Sequence, residues 1–106
     1  MALIAAIVPD LMLASRVAGS LAAAGHEVVP VPAEVPIDLP TGADLVVCDL
    51  EAADPAEVAG LAAPSLGFYS HVDVGTRDAA KQAGIDLVVP RSRMARELPD
   101  LVEGLI

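Results

Sequence analysis

Asp44-Leu45-Val46-Val47-Cys48-Asp49-Leu50 decides how this chain is read. Four consecutive apolar residues lie between two acids. A run this short and this apolar fits a strand buried on both faces, as in a parallel sheet covered by helices. Four more segments read the same way. Leu3–Val8 is apolar and stopped by Pro9-Asp10, and His26–Val31 follows a glycine. Leu66–Tyr69 follows Pro64, and Ile85–Val89 lies between Gly84 and Pro90.

Helical signals fall between these strands. Asp10 is placed to cap a helix in which Leu13, Val17 and Leu21 recur every four residues, with Gly25 as its stop. Asp54-Pro55-Ala56-Glu57 combines a cap, a first-position proline and a glutamate able to reach back, and Pro64 closes that short segment. Asp73 caps a helix running to Gly84. Met94, Leu98, Leu101, Val102 and Leu105 share one face of a last helix, which Pro99 obliges to start near residue 98 or to kink. Between strands two and three, Pro32, Pro36 and Pro40 exclude a regular helix. The expected architecture is a five-stranded parallel sheet in a doubly wound three-layer α/β sandwich, one domain over residues 1–106, with shortened second and third crossovers.

Composition narrows the function. The 106 residues carry 6 bases against 15 acids, a net charge of −9, and their only aromatics are Phe68 and Tyr69. An acidic chain with almost no stacking side chains is a poor partner for nucleic acid. The charge is uneven. Residues 1–76 hold one base, Arg16, and ten acids, whereas residues 77–106 hold five of each sign. Arg77, Lys81, Arg91, Arg93 and Arg96 therefore gather in the last third. They read either as solvated helix surface or as a face for an acidic partner or a second copy. The single cysteine, Cys48, excludes an internal disulfide and a cysteine-rich zinc site, and reads as a core residue. The first apolar run has no basic flank and is too short to span a membrane, so the expected location is the cytoplasm.

In such a sheet the carboxyl ends of the strands form the functional edge. There stand Pro9 and Asp10, Asp49, Ser70 and His71, then Pro90 and Arg91. The turn after the first strand, Val8-Pro9-Asp10-Leu11, has no glycine and carries an acid, which excludes a dinucleotide-type phosphate loop. Asp49, Asp10 and Ser70 are expected around one pocket. His71 and Asp73 suggest a Ser-His-Asp arrangement, but neighbouring residues diverge and no Gly-x-Ser-x-Gly elbow is present.

In order and spacing, these segments resemble the receiver domain of response regulators. Asp44–Leu50 resembles the strand whose last acid accepts phosphate, and Phe68–Asp73 the segment carrying the Ser/Thr switch. Ala83–Pro90 resembles the approach to the family lysine, and Leu21–Val29 the first helix exit and second strand. The resemblance implies a flavodoxin-like fold with Asp49 at the phosphoacceptor position. It also exposes departures. Receivers hold Mg²⁺ with a pair of acids after the first strand, where this chain has Val8 and Pro9, with Asp10 one residue late. Pro90 stands in the lysine position, with Arg91 next to it. Each missing electrostatic group costs roughly 2.7–4 kcal/mol of transition-state stabilisation. The chain thus reads as a degenerate, non-catalytic receiver without metal or cofactor, signalling by association with a protein partner or as a homodimer. With no output module attached, its signal is expected to pass by that association. The face bearing Arg77, Lys81, Arg91, Arg93 and Arg96 is then the interaction face, and Arg91 is expected to pair with Asp49 in place of lysine. Two alternatives are an atypical phosphoacceptor using Asp49 and a small-molecule-binding flavodoxin-like domain.

Overall fold

The computed structural model describes residues 1–70 and 72–106. The elements run β1 (Leu3–Ile7), α1 (Leu11–Ala23), β2 (Glu27–Pro30), β3 (Leu45–Asp49) and α2 (Pro55–Ala59). They continue with β4 (Ser65–Tyr69), α3 (Val74–Ala83), β5 (Leu87–Pro90) and α4 (Arg91–Glu103). All five strands are parallel, in the order β2-β1-β3-β4-β5. This is the flavodoxin-like, receiver-type arrangement expected from the sequence.

The alternation of side chains across each strand divides the core in two. Ile4, Ala6, Leu45, Val47, Leu66 and Phe68 face α1 and α4, where Val17, Leu21, Met94 and Leu98 meet them. Ala5, Ile7, Val46 and Cys48 face the opposite layer, with Val58 of α2 and Ala80 of α3. The connection from β2 to β3 crosses that second face without a helix. Its prolines hold it irregular, and it contributes Val31 and Ile37 to the core instead. The short α2 gives the reduced third crossover.

Two boundaries differ from the sequence reading. Strand β5 starts at Leu87, because Ile85 is taken by the turn leaving α3, where its N–H donates to the Ala80 carbonyl. Helix α4 begins at Arg91, directly after β5, and runs through Pro99 to Glu103. The buried stripe of Met94, Leu98, Leu101 and Val102 holds it to the sheet. This packing outweighs a proline penalty of about 3 kcal/mol in a helix interior.

At the amino-terminal edge, side chains tie the elements together. Asp44 accepts the Leu3 N–H at 2.8 Å, and Asp86 accepts the Ser65 N–H at 2.8 Å. The buried His26 ring accepts the Ala2 N–H at Nδ1 (3.0 Å) and places Nε2 3.1 Å from Glu103 Oε1. The accepting Nδ1 fixes the ring proton on Nε2.

Candidate functional site

The strand period that sorts the core also aims the site. Leu45 and Val47 point toward α1 and α4, so the next residue of that parity, Asp49, points the same way at the carboxyl end of β3. Leu66 and Phe68 do the same for Ser70, just past β4. Cys48 has the other parity. Its buried thiol is pushed up to about 12, first by desolvation and second by the Asp49 charge, which makes it an inert core residue.

Asp49 is 7% exposed. Its Oδ1 accepts the Glu51 N–H at 2.9 Å, closing a tight turn. Its Oδ2 lies 3.8 Å from Arg91 Nη2, an ion pair too long for a direct hydrogen bond. The Arg91 guanidinium also stands 6.0 Å from the centre of the Phe68 ring. Because α4 starts where β5 ends, the first helical residue is an arginine that reaches back over the sheet edge. Glu51 turns inward as well, its Oε1 accepting the Ser70 N–H at 2.9 Å.

Arg91, Glu51 and Ser70 border an open hollow of about 470 Å³ at the carboxyl edge of the sheet. Leu13 and Arg16 of α1 form one wall, and Arg91, Ser92 and Ala95 of α4 the other. Glu51 and Ser70 complete the lining. Arg16, Glu51 and Ser92 were absent from the sequence-derived pocket. Arg16 had left a trace as the only base among the first 76 residues. The role of Glu51 depends on a contact 19 residues away and left none.

Asp10 does not join this group. It is exposed, and its Oδ1 accepts the Leu13 N–H at 3.0 Å, capping α1. Val8 and Pro9, which precede it, offer no oxygen side chain. Among the described residues, no three His, Cys, Asp or Glu side chains converge as metal ligands. The residues present therefore do not fit the Mg²⁺ pocket that the receiver resemblance implies. His71 lies outside the described residues. Asp73 is committed to Thr76, accepting its N–H at 3.1 Å and its hydroxyl at 2.6 Å, and these bonds hold its carboxyl below the usual range.

The basic residues of the last third flank β5, the edge strand. Arg77 and Lys81 lie on α3, whereas Arg91, Arg93 and Arg96 lie on α4, across the sheet. Most have an acid beside them. Arg77 Nε meets Asp78 at 3.1 Å, and Arg93 and Arg96 both approach Glu97 at 3.5 Å. Arg91 is drawn toward Asp49. Lys81 is exposed in the last turn of α3.

No protein-family model matches the chain, and no curated protein matches it in sequence. Solved structures do match in shape. The receiver domain of HemR from Leptospira biflexa, in its non-phosphorylated form, superposes with a TM-score of 0.76 at 18% identity, over 99% of this chain and 94% of that one. The ChxR receiver domain from Chlamydia trachomatis gives 0.68 at 16% identity, over 96% and 93%. NtrX from Brucella abortus, solved in complex with ADP, gives 0.75 at 18% identity; 98% of this chain corresponds to 26% of NtrX. The fold is that of a receiver domain.

Proposed function

We propose that this receiver-fold chain is a non-catalytic signalling module of the cytoplasm that works by protein association, without phosphorylation. One observation carries the reading: the carboxylate at the acceptor position is buried and bonded within its own turn, while the nearest upstream acid is spent on capping α1. Transfer of a phosphoryl group to Asp49 would gather negative charge beside Glu51 with no metal-binding acids to seat a cation. Arg91 supplies one positive charge, 3.8 Å from Asp49, where the transfer needs a metal ion as well.

Association is assigned to the surface on either side of β5, where Arg77 and Lys81 of α3 and Arg93 and Arg96 of α4 stand. The partner is a protein with an acidic surface or a second copy of the chain. Among the described residues no helix is long and apolar enough to cross a membrane. The first test is exposure to acetyl phosphate or beryllofluoride with Mg²⁺. The expected result is no acyl phosphate on Asp49 by mass spectrometry and no amide shift around Asp49 that requires Mg²⁺. A stable adduct on Asp49 would replace this reading with that of an atypical phosphoacceptor. The second test is the double variant Arg77→Glu, Arg93→Glu, expected to weaken self-association or partner capture at least tenfold. Unchanged association would remove the β5 surface from the proposal.

A further inference from the structure

We propose that the hollow between α1 and α4 is a binding site for a small organic oxyanion, a carboxylate or phosphomonoester with a short apolar tail. This goes beyond the association reading and does not rest on it. The site combines Arg16 and Arg91 with the hydroxyls of Ser70 and Ser92.

Size and place come first. At about 470 Å³ the hollow is within the roughly 300–1,000 Å³ usual for small-molecule sites. It opens at the carboxyl edge of a parallel sheet, where open α/β folds bind their ligands.

Charge comes second. Arg16 is the only base in the first 76 residues of a chain carrying −9 overall, yet it stands at this hollow. Among the described residues it is the one arginine with no carboxylate within 4.0 Å; Arg77, Arg91, Arg93 and Arg96 each have one. The acids nearby already have partners. Asp49 holds the Glu51 N–H and faces Arg91, and Glu51 holds the Ser70 N–H. A bound oxyanion would meet Arg16, and would meet Arg91 at little loss, since the Arg91–Asp49 contact is long and half-exposed. The first turn of α4 has neither an acid nor a side-chain cap, so nothing there competes for the anion.

Shape supplies the tail. A small apolar slot shares Leu13, Arg16 and Ala95 with the hollow and continues between the helices to Val17, Met94 and Leu98. An oxyanion held by the arginines would direct a short hydrocarbon chain into it.

The test is amide chemical-shift titration of the whole chain with acetate, valerate, inorganic phosphate and phenyl phosphate, ionic strength being held constant with sodium chloride. Saturable shifts are expected at Arg91, Ser92 and Ser70. Valerate should bind at least threefold more tightly than acetate, consistent with burial of methylene groups. The carboxylate and phosphate arms show which head group the site prefers. Arg16→Gln should weaken binding about tenfold or more, as for loss of a charge-assisted hydrogen bond. Arg93→Gln, outside the hollow, should change it less than twofold. Both substitutions are at exposed positions, and matching thermal unfolding verifies the fold. Shifts that chloride reproduces, or binding that Arg16→Gln leaves intact, would overturn the site. Equal affinity for acetate and valerate would overturn the tail slot.

Discussion

Asp49 and Cys48 are neighbours with opposite fates, and strand parity separates them. Asp49 points to the α1–α4 side and faces Arg91; Cys48 points into the other core layer. The thiol should resist alkylation in the folded chain and react fully in urea; labelling at neutral pH without denaturant would contradict its burial. Its effect on stability has a definite sign. Below about pH 9.0 the thiol is neutral in both states, so it contributes nothing to the pH dependence. Above that, the unfolded chain releases a proton that the folded chain keeps until about 12, so stability falls across that window. Gly67 shows a tighter constraint. A Cβ there would lie 2.7 Å from Leu50 Cγ, in the turn that carries Asp49. Gly67→Ala should cost about 1–3 kcal/mol in chemical unfolding, the usual penalty for overpacking. At this scale the alternation of apolar residues made the placement of Asp49 and Ser70 legible. Arg16 and Glu51 were not, because α1 and the turn after β3 approach the hollow only through tertiary packing.

Helices α3 and α4 begin differently, and the difference is measurable. Asp73 caps α3 through two bonds from Thr76 that hold its carboxyl low. A lowered folded pKa contributes stability that is complete above the unfolded carboxyl range and lost as pH falls through the folded value. The melting-temperature gap between the native chain and Asp73→Ala should therefore be largest near neutral pH and close in strong acid. A gap that stayed constant down to the acid transition would deny the carboxylate its role. Helix α4 has no side-chain cap and carries Pro99 internally, yet remains continuous. Of the two outcomes that Pro99 allows, a start near residue 98 or a kink, the helix excludes the late start. Met94, one turn before Leu98, is buried and secures the amino-terminal half of the helix. Pro99→Ala should restore a hydrogen bond to the Ala95 carbonyl and stabilise the fold by about 1–3 kcal/mol in urea. The prolines between β2 and β3 worked as read: they excluded a helix, and the connection covers the sheet with Val31 and Ile37.

Across the whole molecule, the proposed reading keeps the receiver fold and gives up the receiver's cation chemistry, and the two are separable for a physical reason. The fold depends on apolar strands and on two layers of helix and loop, and those patterns are intact. Phosphoryl transfer depends on a few oxygens after β1, and there Val8 closes the core while Pro9 leads into the Asp10 cap. Arginines can replace a cation for binding, because a guanidinium holds an oxyanion without leaving the protein. They do not replace the metal's bridging of acceptor and phosphate. On the proposed reading the hollow retains an anion rather than transferring a phosphoryl group. Pro9 is exposed and stands one residue before Asp10, so Pro9→Asp puts a second carboxylate where the family keeps its acids. That variant should gain saturable, millimolar Mg²⁺ binding by amide shifts near Asp49, whereas the native chain should show none over the same range. Equal Mg²⁺ binding by the two chains would mean that the carboxylates already present suffice, and the division between fold and chemistry drawn at Pro9 would be wrong.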